Sequence, residues 1–154
     1  LLSGIESEES VDTDGIAVEP QWCKDNDDQR RKISRYVNRL LGEGIDPSSI
    51  VVLSPRRLEH SSLSKGLIDV PFPLVWWEHA GEDRYQNERY IKFSTLHAFK
   101  GLESKVIIMS DVEDLESENS RHQIYVGSSR GMAILAPFIK ESQREVYQQR
   151  LSGK

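Results

Sequence analysis

Cysteine and long hydrophobic runs are nearly absent from this chain, and each absence excludes a class of protein. The single thiol, Cys23, excludes an internal disulfide and a cysteine-based zinc site. No apolar run approaches the ~18 residues of a membrane-spanning helix, and residues 1–10 lack the basic and apolar regions of a signal peptide. These absences favour an intracellular, cytoplasmic protein without a membrane partner.

An excess of basic residues is missing as well. Lysine and arginine total 20 against 25 acidic residues, which gives a formal net charge of −5. Free-standing nucleic-acid-binding domains usually gain affinity from a basic face that displaces counterions from phosphates. Any contact with nucleic acid must therefore be local. Arg56 and Arg57 are candidates for it, with a solvated basic turn as the equal alternative.

The chain lacks an initiating methionine and a phosphate-binding loop. No Gly-x-x-x-x-Gly-Lys-Ser/Thr sequence occurs, so there is no glycine-rich cradle for nucleotide phosphates. We therefore expect the chain to be a piece of something larger. Residues 1–15 are acidic and serine-rich, which is typical of a lead-in or linker, and residues 16–150 are long enough for one globular domain.

Strands are expected to alternate with helices along this domain. Apolar residues recur at helical spacing in Asn26–Leu41, whereas Ile50–Leu53 is a continuous apolar run typical of a strand covered on both faces. This alternation favours an α/β fold with a doubly wound, mainly parallel sheet. The remaining expected elements are strands at Ile16–Glu19, Phe72–Trp77, Ile91–Ser94 and Met132–Ala136, helices at Ser61–Ile68 and Ser120–Ser129, and an acidic loop at Asp111–Glu118.

The adjacent tryptophans Trp76 and Trp77 have two interpretations. Aromatic side chains can stack nucleic-acid bases, but neighbouring strand residues point to opposite faces of a sheet. A sheet covered on both faces would bury both rings, so core packing is the expectation.

The most specific stretch is Tyr90–Met109, YIKFSTLHAFKGLESKVIIM, in which a polar tip and a glycine turn join two apolar strands. It resembles motif V of the UvrD/Rep-type superfamily 1 helicases, a Thr-x-His-x-x-Lys-Gly-Leu-Glu string. Further on, Ile124–Arg130, IYVGSSR, resembles the Tyr-Val-x-x-Ser/Thr-Arg core of motif VI. The two strings occur in the family's order.

The resemblance implies a RecA-like second motor domain with helices on both faces of its sheet. The family hydrolyses ATP with Mg²⁺ in a cleft between two motor domains and steps along single-stranded DNA. The N-terminal motor domain supplies the phosphate loop and the Mg²⁺ ligands, so it is the implied partner within the same parent protein. This chain alone should not hydrolyse ATP, and RNA is not excluded as the track.

The nucleotide-binding roles fall on three residues by resemblance. Arg130 corresponds to the arginine finger that stabilises charge on the γ-phosphate. Glu103 would accept from the ribose hydroxyls, and Gly101 would let the main chain approach the phosphates. The alternatives are a surface arginine, a solvated glutamate and an ordinary glycine turn.

The track-facing roles fall on other residues. Thr95 and His97 would donate to phosphate oxygens, with a structural histidine as the alternative, and Arg56 would add a backbone contact. Lys100, in the same string, is assigned to coupling. No metal ligands are expected within this chain.

Two departures from the family bear on activity. The stretch between Arg56 and Ile91 is too short for the extra domain that larger members insert there, which indicates the compact form. Gly131 stands where the family usually has alanine, and glycine loosens the end of the helix that aims Arg130. A motor-inactive, helicase-like binding or regulatory module is therefore the alternative function, and a generic α/β ligand-binding domain is a third.

Overall fold

The structure, a computed structural model, describes residues 10–11, 17–79, 82–85, 88–95, 98, 104–113 and 132–151. Within these residues lie eight strands: β1 Ser10–Val11, β2 Ala17–Val18, β3 Gln21–Cys23, β4 Ile50–Ser54, β5 Leu74–Trp76, β6 Ile91–Thr95, β7 Val106–Val112 and β8 Ile134–Lys140. They also contain helices α1 Asn26–Gly42 and α2 Arg144–Leu151, and short 3₁₀ turns at Pro47–Ser49, Leu58–His60, Trp77–His79, Asp83–Tyr85 and Glu141–Gln143.

The strands form one sheet in the order β1-β2-β8-β7-β4-β6-β5. β3 also pairs with β8, at Phe138–Lys140, further along β8 than the residues that pair with β2. Every pairing is parallel except the short β1–β2 pair. The predicted fold class, an α/β domain with a mainly parallel sheet, is confirmed and is compatible with a RecA-like architecture. Two residues of the predicted lead-in, Ser10 and Val11, pair with β2.

Helix α1 begins where the sequence predicts, because Asp25 caps it. The Asp25 carboxylate accepts from the Asp28 N–H at 2.8 Å, which satisfies one of the free donors of the first turn. The helix ends at Gly42, and Gly44 takes a positive φ of 91° in the turn that follows.

Alternate residues of the central strands enter two apolar clusters, one on each face of the sheet. On the first face Ile33, Val37 and Leu40 of α1 pack with strand residues Ile50, Val52, Ile91, Phe93, Val106, Ile108 and Phe138. The second face holds Trp22, Val51, Leu53, Ile107, Met109, Val112, Met132, Leu135 and Ile139.

Helices on both faces were expected, and within the described residues this is clear for the first face only. There α1 lies along the cluster. On the second face α2 begins nearby, where the Arg144 guanidinium lies 5.7 Å from the centroid of the Trp22 ring.

A buried carboxylate joins α1 to the strand edge. Glu19 follows β2 and is 1% exposed, and it accepts from the Tyr36 hydroxyl at 2.6 Å. The Arg39 guanidinium lies 3.6 Å from the same oxygen. Burial, together with this carboxylate, raises the pKa of Tyr36 well above its ordinary value, so the phenol stays protonated and keeps donating.

The predicted helix at Ser61–Ile68 is wrong, because this segment is a series of turns. The hydroxyl of Ser61 and the backbone N–H of Ser62 both donate to the Asp111 carboxylate, so they are drawn out of any helical pattern. Gly66 also takes a positive φ of 82°, which a continuing α-helix cannot contain.

The last strand was expected to end before Pro137, but β8 continues through that residue to Lys140. The carbonyls of Ala133 and Leu135 accept from the N–H groups of Ala17 and Glu19 at 2.9 Å each, on the side of β8 that faces β2. Every second residue of a strand directs its backbone groups to the same side, so the nitrogen of Pro137 also faces that side. The edge ladder is interrupted there between Val18 and Gln21. A missing N–H is tolerated at this point because no regular ladder bond is required.

Other boundaries moved by a few residues. The strand predicted at Phe72–Trp77 is confined to Leu74–Trp76, and Asp111, predicted in a loop, lies in β7. The helix predicted at Ser120–Ser129 lies outside the described residues.

Within the described part of the chain, no helix combines the length and apolar character needed to cross a membrane.

Leu40→Ala should lower the free energy of unfolding by ~2–5 kcal/mol, because Leu40 is fully buried under the sheet. Leu41→Ala is the matched control, since Leu41 is the next residue of α1 and only half-buried. Urea unfolding of both variants tests this. Equal losses would contradict the placement of α1.

At a pH near the ordinary thiol pKa of about 8.5, Cys23 should react with a thiol reagent at least ~100-fold more slowly in the folded protein than in the protein unfolded by urea. Burial raises the pKa of Cys23 to about 12, so the folded protein holds little thiolate, and the side chain is 2% exposed. The rate of absorbance change with Ellman's reagent measures this. Similar rates in both states would be incompatible with a buried Cys23.

Candidate functional site

The carboxyl ends of β4, β5, β6 and β7 meet at one edge of the sheet because these strands are parallel. Ser54, the last residue of β4, pairs in register with Thr95, the last residue of β6. Arg56 follows Ser54 by two positions. Two of the predicted nucleic-acid contacts, Thr95 and Arg56, are thus brought to the same edge.

Arg56 is held at both its backbone and its side chain. Its N–H donates to Ser54 Oγ at 3.0 Å, and its guanidinium forms an ion pair with Glu113, just beyond β7. Both side chains are substantially exposed, and a surface ion pair of this kind contributes only ~0–1 kcal/mol. The guanidinium can therefore exchange Glu113 for a phosphate at little cost.

Asp111 is the centre of a buried polar cluster at this edge. It is 4% exposed and has a positive φ of 61°, at an irregular register between Met109 and Val112. One carboxylate oxygen accepts from the hydroxyls of Ser54 and Ser61 at 2.7 Å and of Ser110 at 2.9 Å.

The other Asp111 oxygen accepts from the Ser62 N–H at 3.0 Å, and the Asp111 N–H donates to Gln29 Oε1 at 2.7 Å. A buried carboxylate needs several donors to offset its lost hydration, and here the donors come from β4, from β7 and from the segment after β4. The cluster therefore fastens the segment that carries Arg56 and Arg57 to the sheet and to α1.

A cavity of about 380 Å³ lies beside this segment, at the carboxyl end of β5. Its lining includes Arg57, Trp76 and His79, together with the carboxylates of Glu59 and Glu78. The Arg57 guanidinium carbon lies 5.4 Å from the centroid of the Trp76 ring, and the guanidinium pairs with Glu59 at 2.9 Å.

Core burial was expected for both Trp76 and Trp77, and the structure gives a mixed answer. Both are half-buried. Trp76 packs on Phe93 with ring centroids 5.8 Å apart, whereas the Lys92 ammonium lies 5.6 Å from the centroid of the Trp77 ring. Among the described strands β5 is the last of the sheet path, so Trp76 at its end has a neighbouring strand on one side only.

Five predicted site residues, His97, Lys100, Gly101, Glu103 and Arg130, lie outside the described residues. Residues on either side of them are described. The Lys105 carbonyl, just before β7, accepts from the N–H groups of Ala133 at 2.8 Å and Ile134 at 3.1 Å. Hydrogen bonds therefore join the start of β7, which follows the first helicase-like string, to the start of β8, which follows the second.

Sequence reasoning missed Asp111 and the Trp76 cavity. A signal for Asp111 was present, because an acidic residue directly after a buried apolar strand of a parallel sheet falls at the edge where ligands bind. In the described part of the chain, no group of three or more His, Cys, Asp or Glu side chains could hold a metal ion.

A scan against protein-family models gave no match, and a search of curated proteins gave none either.

Asp111→Asn should lower the free energy of unfolding by ~1–3 kcal/mol, because the new amide nitrogen cannot accept the bonds that a carboxylate oxygen accepts. Asp83→Asn is the matched control, since Asp83 is exposed in a 3₁₀ turn. Urea unfolding measures both, and limited proteolysis reports the segment after β4. An Asp111→Asn variant as stable as the control would refute the structural role of the cluster.

Proposed function

We propose that this chain is the C-terminal motor domain of an ATP-dependent superfamily 1 DNA helicase or translocase, acting in the cytoplasm as part of a larger protein. The two motif-like strings motivate the proposal. The observation that carries it further is the pair of hydrogen bonds that the N–H groups of Ala133 and Ile134 donate to the Lys105 carbonyl. These bonds join the chain just after the first string to the chain just after the second.

The nucleotide-binding role requires Glu103 and Arg130 to reach one ligand. Glu103 precedes Lys105 by two residues, and Arg130 precedes Ala133 by three. A chain spans at most ~3.6 Å per residue. The α-carbon of Glu103 can therefore be at most ~7 Å from that of Lys105, and the α-carbon of Arg130 at most ~11 Å from that of Ala133. Long side chains such as glutamate and arginine can meet at one nucleotide under that limit.

The first string also joins opposite ends of the sheet. It begins at Thr95, at the carboxyl end of β6, and the chain returns at Ser104, before the amino end of β7. In the proposal the nucleic-acid track lies at the carboxyl edge, beside Thr95 and Arg56, and the nucleotide lies at the amino edge. Lys100 lies between the two in sequence, which suits the coupling role assigned to it.

Each residue then has a defined chemical task. The Arg130 guanidinium stabilises negative charge that develops on the γ-phosphate, and the Glu103 carboxylate accepts from ribose hydroxyls. Gly101 allows main-chain approach, while the hydroxyl of Thr95 and the imidazole of His97 position the strand through its phosphates without reading its sequence. Mg²⁺ is assigned to ligands of the N-terminal motor domain.

Arg130→Ala in the full parent protein should lower DNA-stimulated ATP turnover by ~10³-fold or more, the size expected for the loss of an arginine finger. Phosphate release with and without single-stranded DNA measures it. Arg35→Ala is the matched control, because Arg35 is exposed on α1. Its turnover should equal that of the wild type.

The outcomes separate the candidate functions. Turnover that survives in Arg130→Ala would refute the role of this arginine. A wild-type parent that binds single-stranded DNA but hydrolyses no ATP would favour the motor-inactive binding module, for which the acidic balance of the chain is the supporting feature.

A further inference from the structure

We infer that the cavity beside Trp76 is a stacking subsite for one base of a single-stranded nucleic acid. The inference rests on the proposed function, because it extends the track beside Thr95 and Arg56 by one further contact. It adds base stacking to a track otherwise made of phosphate contacts.

The cavity lies at the same edge of the sheet as the proposed track. Trp76 ends β5, which pairs with β6 so that Trp76 lies opposite Phe93, two residues before Thr95. β5, which carries Trp76, is therefore the next strand along the edge from β6, which carries Thr95, and neighbouring strands are ~4.8 Å apart. A strand of nucleic acid held at Thr95 therefore passes within reach of the cavity.

The aromatic surface in the cavity is fixed and partly open. Contact with Phe93, at 5.8 Å between centroids and 32° between ring planes, holds the Trp76 indole in place, while half-burial leaves part of it accessible. The Arg57 guanidinium, 5.4 Å from the ring centroid, is on an exposed side chain. Nucleobases stack on indole rings and on guanidinium planes alike.

The charges around the cavity favour a base over a phosphate. Glu59 and Glu78 both line it, and Glu59 already neutralises Arg57 at 2.9 Å. Two carboxylates repel a phosphate, but they accept hydrogen bonds from the N–H groups of a neutral base. A volume of about 380 Å³ also suits a small planar ligand, since small-molecule sites begin at ~300 Å³.

Trp76→Leu in the full parent protein should weaken binding of a fluorescein-labelled oligothymidylate by ~5–150-fold. This range converts the ~1–3 kcal/mol that stacking contributes per base. Trp76→Tyr keeps an aromatic face and should recover part of the affinity. Trp77→Leu is the matched control and should bind like the wild type, because Trp77 is absent from the cavity lining.

Salt dependence distinguishes stacking from charge. Loss of a stacked base should leave the slope of log affinity against log salt unchanged in Trp76→Leu. Arg56→Ala, which removes a proposed phosphate contact, should reduce the magnitude of that slope by ~0.7, the value for one phosphate of a single strand. A lowered slope in Trp76→Leu would contradict a stacking role.

Photo-crosslinking of the wild-type parent protein gives a test that does not depend on the folding of a variant. A strand carrying iododeoxyuridine should crosslink to the peptide that contains Trp76, as mapped by mass spectrometry. If the strand binds but crosslinks only elsewhere, or if folded Trp76→Leu binds as the wild type does, the stacking inference alone fails. If the wild type binds no single-stranded DNA, the inference and the proposed function fail together.

Discussion

The buried carboxylate of Asp111 is the interaction on which the candidate site depends. It lies where β7 departs from regular register, and it gathers donors from the end of β4, from β7 itself and from the segment after β4. Without it, the segment that carries Arg56 and Arg57 would cross the sheet edge without a fixed path. The segment that carries the exposed cations of this edge is thus held by a buried group.

The parallel sheet supplies the second constraint, since it separates the two ends of the domain. Thr95 leaves the sheet at one end, and Lys105 and Ala133 meet at the other. Under the proposed function, one short connection, from Thr95 to Ser104, touches both the track and the nucleotide.

The elements that sequence predicts best are those whose own residues decide them. The continuous apolar run of Ile50–Leu53 and the apolar periodicity of α1 needed no knowledge of their neighbours. The prediction of a helix at Ser61–Ile68 was wrong because Ser61 and Ser62 donate to a distant residue, Asp111. The prediction that the last strand ends before Pro137 was wrong because the missing N–H of Pro137 falls opposite the break between β2 and β3. Trp76 lies between these cases: its strand was predictable, but its place beside a cavity was not. Thr95 and Arg56 lie at the same edge because the carboxyl ends of parallel strands share it, which the sequence already implied.

The short strands at the two margins of the sheet, and the interruption between β2 and β3 at Glu19 and Pro20, have a consequence for assembly. An unbroken outer strand displays a row of free amide and carbonyl groups that invites pairing with a second molecule. Here β1, the margin strand beside β2, is two residues long and β3 is three, Glu19 between β2 and β3 turns inward to Tyr36, and β5 at the far margin is also only three residues long. Among the described strands, neither margin offers a template long enough for β-sheet extension between molecules.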